Sequence, residues 1–212
     1  MKLVKKNLLG ILLTAGAFAV AAVMAPRMPD PVPTHWNIHG VADGFTPKPW
    51  GPFVLPLVMA GVLVLLVALG SISPKEAPVE RFSRTYSIIT SATLGFLFVA
   101  TVVSSLAATG AAFNLTKVIM AAVGALFVVI GNYMGKFTRN YVMGIRTPWT
   151  LANDEVWLRT HRLGGKVFVL SGLVVITVVL LDQVALALPV LLAAALIPVV
   201  YSYIVYRKVS SA

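Results

Sequence analysis

Apolar positions in this chain gather into six long runs with polar stretches between them. The runs are Leu8–Ala25, Phe53–Ile72, Tyr86–Ala108, Asn114–Met134, Val167–Leu181 and Val184–Tyr206. A helix needs about 20 apolar residues to cross a bilayer, so the pattern predicts an all-α membrane protein with six transmembrane helices. One run is short. The 15 residues of Val167–Leu181 reach roughly 22 Å as a helix, less than a ~30 Å hydrocarbon core. That helix is therefore expected to begin near Leu163, with Lys166 snorkelling toward the head groups. Pro189 and Pro198 are expected to kink the last helix. Lys2, Lys5 and Lys6 before the first run also fit a cleavable signal peptide, but a retained first helix is favoured. Two parts are expected: 1–73, with two spans and a Pro/His loop, and 74–212, with four spans.

Small residues inside the runs predict helix packing. Ser87, Ser91 and Gly95 recur every fourth position, and Gly131 and Gly135 form a GxxxG pair on the face of Gly124. This spacing lets membrane helices approach closely.

Composition agrees with the pattern. Hydrophobic residues make up 58% and charged residues 11%, against roughly 45–50% and about 25% in soluble domains. The absence of Cys excludes disulfides, thiolate metal sites and a Cys nucleophile. A net charge of +10 suggests nucleic acid in a soluble protein. Here it reads as Lys and Arg kept at the cytoplasmic membrane edge, with the lipid bilayer as partner and no direct nucleic acid. With six spans, 14 Lys and Arg fall on the side holding both termini, the second loop and the 136–166 loop. Only Arg27, Lys48 and Lys117 fall on the other. Both termini and the 136–166 loop are thus expected in the cytoplasm.

The two longest polar stretches carry the candidate chemistry. Residues 26–52 hold seven of the 13 prolines, which predicts an extended, turn-rich outer loop, and Asp43-Gly44 marks a tight turn. In extended backbone His35, Asn37 and His39 share one side, with Trp36 and Ile38 on the other. His35, His39 and Asp43 are weak candidate metal ligands; hydrogen bonding within the loop is preferred, and no cofactor is expected.

The 136–166 loop holds six of the 17 basic residues. Pro148 ends any helix before it. Asn153 suits an N-cap, with Asp154 and Glu155 at the positive end of the helix it starts. Residues 154–163 are expected to form a short amphipathic helix on the inner membrane surface. Val156, Thr160 and Leu163 share one face; Arg159, Arg162 and Lys166 share another. The charges read first as an anionic-lipid anchor, with a docking site for a cytosolic protein as the alternative. Trp149 is expected to stack on the Arg146 guanidinium, and His161 is read as a helix-surface residue.

The run from Gly131 to Lys166 resembles the signature of the SdpI-like family of bacterial membrane proteins. The matching positions include Asn132, Asn140, Gly144, Ile145, Arg146, Thr147, Pro148, Trp149, Thr150, Trp157, Thr160, His161, Gly164 and Gly165, with Arg162 beside them as a candidate binding residue. The first loop resembles a module that often accompanies this signature, through Pro33, His35, Trp36, Asn37, Gly40, Asp43 and Gly44. The resemblance implies an immunity-type protein of the bacterial cell membrane. Such a protein protects against a secreted peptide toxin and holds a small repressor at the membrane. It is not expected to be an enzyme. A small transporter is the alternative, disfavoured because the spans lack Asp, Glu, Lys, Arg and His apart from Lys117 at the start of the fourth run and Asp182 at a turn. A membrane-embedded enzyme or metal-binding protein is the third reading.

Overall fold

The computed structural model describes residues 7–74 and 79–210. Lys2, Lys5, Lys6 and Lys75, used in the Lys and Arg count, lie outside the described residues. Helix α1 spans Leu8–Met24, followed by strands β1 (Val32–Trp36) and β2 (Ala42–Thr46). Then come α2 (Val54–Ser71), α3 (Ser83–Ala108), α4 (Leu115–Met134), a five-residue α5 (Pro148–Ala152), α6 (Asp154–Leu180) and α7 (Ala187–Ser210). Six of these helices, with their flanking 3-10 turns, are long and apolar enough to cross a membrane. Their outer faces remain apolar: Val64 in α2, Leu180 in α6 and Leu196 in α7 are all more than half exposed. A bilayer covers such surface; water would not.

The chain divides into two compact units that do not follow chain order. The first takes the chain up to Val67 together with Thr90–Val123; the second takes Ala68–Ile89 and everything from Gly124. In the first, Ala17, Met59 and Leu94 form one core cluster, and Met28, Val32 and Ala108 form a second. In the second, Val79, Phe82, Tyr86, Ile89, Met134, Phe137 and Trp157 pack together.

Small residues do set a close helix contact in the second unit. A Cβ built on Gly131 would lie 2.6 Å from the Gly165 carbonyl oxygen, and one on Gly124 would lie 2.8 Å from that of Gly172. Only glycine permits α4 and α6 to meet backbone to backbone, and the stacked Phe127 and Phe168 rings lie beside this seam. The Gly95 reading fails: a Cβ there meets nothing within 4 Å. Its face is not the one α3 buries, which carries Thr90, Leu94, Thr101 and Ser105.

The region around residue 163 differs from expectation. No separate amphipathic helix covers 154–163; α6 runs unbroken for 27 residues from Asp154, about 40 Å. Gly164 and Gly165 do not interrupt it, because the close approach of α4 shields their backbone. Val156 and Thr160, read as a bilayer-facing stripe, are fully buried with Trp157 and His161. That face is turned into the protein. In α7, Pro189 falls in the first turn, where a missing N–H costs nothing, while Pro198 lies inside the helix.

Candidate functional site

The loop between α4 and α6 is built around one amide. Asn140 is fully buried. Its Nδ2 donates to the Thr138 and Met143 carbonyls at 2.8 and 3.0 Å. Its Oδ1 accepts from the Val142 and Met143 N–H groups at 2.8 and 2.7 Å. Every hydrogen-bonding site of the side chain is used, so the amide acts as a folded-in template for the turn. Gly144 follows with φ +113°, a conformation that L side chains avoid. A Cβ there would also fall 2.4 Å from His161 Nε2.

His161 closes this turn onto α6. Its Nε2 accepts from the Ile145 N–H at 2.9 Å, and its Nδ1 lies 2.8 Å from the Trp157 carbonyl. One ring nitrogen accepts and the other donates, which fixes the neutral Nδ1–H tautomer. The ring stacks on Trp157 at 4.0 Å, and Trp157 Nε1 donates to the Phe137 carbonyl at 2.7 Å. The expectation of a surface His161 is therefore corrected: it is 1% exposed. Its position beside Arg162 suggested the surface, but the loop folds back over it, with the Ile145 N–H on its ring.

Thr147 and Thr150 form a reciprocal capping box that starts α5, with Pro148 in its first turn. Pro148 thus opens a helix as well as excluding one before it. Thr150 Oγ1 also donates to the Ile145 carbonyl at 2.9 Å. Asn153 then caps α6 as expected, accepting from the Glu155 and Val156 N–H groups.

Trp149 does not meet Arg146. Its Nε1 donates to Ser202 Oγ at 2.6 Å, and its ring packs on Tyr203 and Tyr206 of α7. Arg146 instead donates to the Tyr141 carbonyl and is exposed. Proximity in sequence suggested a stack; the capping turn points the two side chains to different partners. Sequence reasoning missed Ser202, whose only signal was a hydroxyl in an apolar run. It also missed Arg139, which holds the Leu151 carbonyl at 2.7 Å and Asp154 at 2.8 Å. Asn132 and Arg162 belong to another feature, an open groove along α4 and α6.

In the first unit the Pro/His loop is a β-hairpin. β1 and β2 pair antiparallel with irregularities between Pro33 and Trp36. The strand ends at Trp36, so the expected alternation of His35, Asn37 and His39 does not hold. His35 Nδ1 lies 2.5 Å from Asp43 Oδ1 on the exposed side. Asn37 Oδ1 accepts from the His39 and Val41 N–H groups, and Gly40 turns the chain at φ 77°. Thr116 of α4 donates to the Asn37 carbonyl. Gly44 sits where a Cβ would lie 2.8 Å from His35 Cβ. His39 does not join the pair: among the described residues no three His, Cys, Asp or Glu gather to hold a metal. Trp36, Thr34, Thr101, Ser104 and Ser105 border a cavity of about 30 Å³ beneath the hairpin, room for about one water.

Comparison with known proteins meets both loops. Residues 136–202 match the SdpI/YfhL protein family. Residues 12–60 match a domain of unknown function, DUF1648. The chain is 25% identical over 209 residues to the immunity protein SdpI of Bacillus subtilis (strain 168), covering 97% of this chain and 98% of that protein. No solved structure matches. With six apolar helices and this similarity, the chain is a multi-pass protein of the bacterial cytoplasmic membrane.

Proposed function

We propose that this chain is an immunity-type binding and signalling protein. It protects its cell from a secreted antimicrobial peptide and holds a small repressor at the membrane. The carrying observation is the end-to-end similarity to an immunity protein, which spans nearly all of both chains. The two polar loops divide the work. The hairpin, with exposed His35, Asp43, Ile38 and Phe45, faces outside and meets the peptide. The 136–166 loop faces the cytoplasm and supplies the repressor surface through Arg146. Basic residues on its side of the chain support that orientation. The protein works by binding and has no catalytic role in this reading.

Deleting the gene from its native host should sensitise cells to that host's own spent medium, and an intact copy should restore survival. Unchanged survival of the deletion strain would sink the immunity reading. Orientation has its own test. A cysteine at exposed Phe45 should react with an impermeant thiol reagent in intact cells, and one at Ala152 should not. Labelling at 152 from outside would reverse the assignment.

A further inference from the structure

The groove along α4 and α6 is not used by the loop network. It has a volume of about 550 Å³ and is lined by Gly131, Asn132, Gly135, Arg162, Gly165, Lys166, Val169 and Leu170. It exists because the glycines offer no side chains to fill it while their backbones bring the helices together. Three polar side chains stand on its rim. Asn132, Arg162 and Lys166 are exposed and make no hydrogen bond or ion pair with protein groups among the described residues. This sets them apart from Arg139, bound to Asp154, and Arg159, bound to Glu155. Arg162 and Lys166 lie one turn apart on α6, and one turn further on the lining becomes apolar at Val169 and Leu170. A polar rim over an apolar wall at the end of a membrane helix has the charge profile of one molecule: an anionic phospholipid.

We infer that this groove is a specific site for an anionic phospholipid of the phosphatidylglycerol type. Its phosphate sits between the Arg162 guanidinium and the Lys166 ammonium, both of which bind phosphate as fixed cations. The Asn132 amide takes a head-group hydroxyl, and an acyl chain lies along Val169 and Leu170. The site differs from a general basic anchor because the charge is local: Arg159, on the same helix, has no part in it.

The test uses the full-length protein in detergent micelles, titrated with phosphatidylglycerol, phosphatidylcholine or inorganic phosphate and followed by thermal unfolding and native mass spectrometry. Phosphatidylglycerol should bind and raise Tm; phosphatidylcholine and inorganic phosphate should not. Arg162→Gln with Lys166→Gln should weaken phosphatidylglycerol binding about thirtyfold, at about fivefold per cation. Arg159→Gln should leave it unchanged. The lipid-free Tm of the double variant checks that it folds; if it does not, Lys166→Gln alone should give the smaller loss. Equal binding by wild type and variants overturns the proposal, as does equal binding of phosphatidylcholine. Saturation by inorganic phosphate alone would make the groove a site for free anions and would also overturn it.

Discussion

The two polar loops interrupt the same apolar chain but are stabilised in opposite ways. The hairpin is held by backbone pairing, and its distinctive side chains stay at the surface: His35 is 72% exposed and Asp43 44%. The 136–166 loop has little regular pairing of its own. It is held by buried polar side chains, with Asn140, Thr150 and His161 between 0% and 1% exposed. The residues named by the two patterns therefore do different work in the two loops. In the 136–166 loop most signature residues fold the chain; in the hairpin Asn37, Gly40 and Gly44 shape the turn while His35 and Asp43 stay exposed. Buried, saturated groups are costly to remove because their partners are left without water or protein.

The comparison is broken most readily at Asn140. Asn140→Leu removes four hydrogen bonds from a fully buried site and should cost about 3 kcal/mol or more. Thermal unfolding in detergent, with proteolysis in the 138–147 loop, measures it. Full stability would show that the amide does not organise the turn. Gly144→Ala should follow at about 2 kcal/mol, because it combines a strained φ with displacement of His161. Restored stability on pairing it with His161→Ala would identify the steric part.

Trp149→Phe keeps the ring contacts with Tyr203 and Tyr206 but loses the bond to Ser202, a loss of about 1 kcal/mol. Ser202→Ala should cost a similar amount, and the two together should fall short of the sum. The smallest stability effects should be those of Arg146→Lys and His35→Ala, each within about 0.5 kcal/mol, since exposed pairs contribute little. These two sharpen the contrast. Loss of protection by His35→Ala, and of repressor retention by Arg146→Lys, at unchanged Tm would mark both as contact residues. Retained function would leave them as surface polar groups.

Much of this was legible in the sequence. The apolar runs, the Asn153 cap and the close-packed faces of Gly124 and Gly131 follow from local pattern. What the pattern misread shares one cause. The Val156 and Thr160 stripe, the surface reading of His161 and the expected Arg146–Trp149 stack each depended on what lies across from a residue.

The sequence by itself determined that the chain is built of membrane-length helices, because run length and hydropathy are set by the thickness and polarity of the bilayer. It also determined where the polar loops fall, since proline and charge cannot continue an apolar helix unaided. Only the tertiary structure decided which polar residues are structural. His161 and Ile145 meet through a turn that Asn140 folds, and Trp149 reaches Ser202 across 53 residues. Long-range partners of this kind leave no periodic trace, because a hydrogen bond depends on distance in space and not on spacing along the chain.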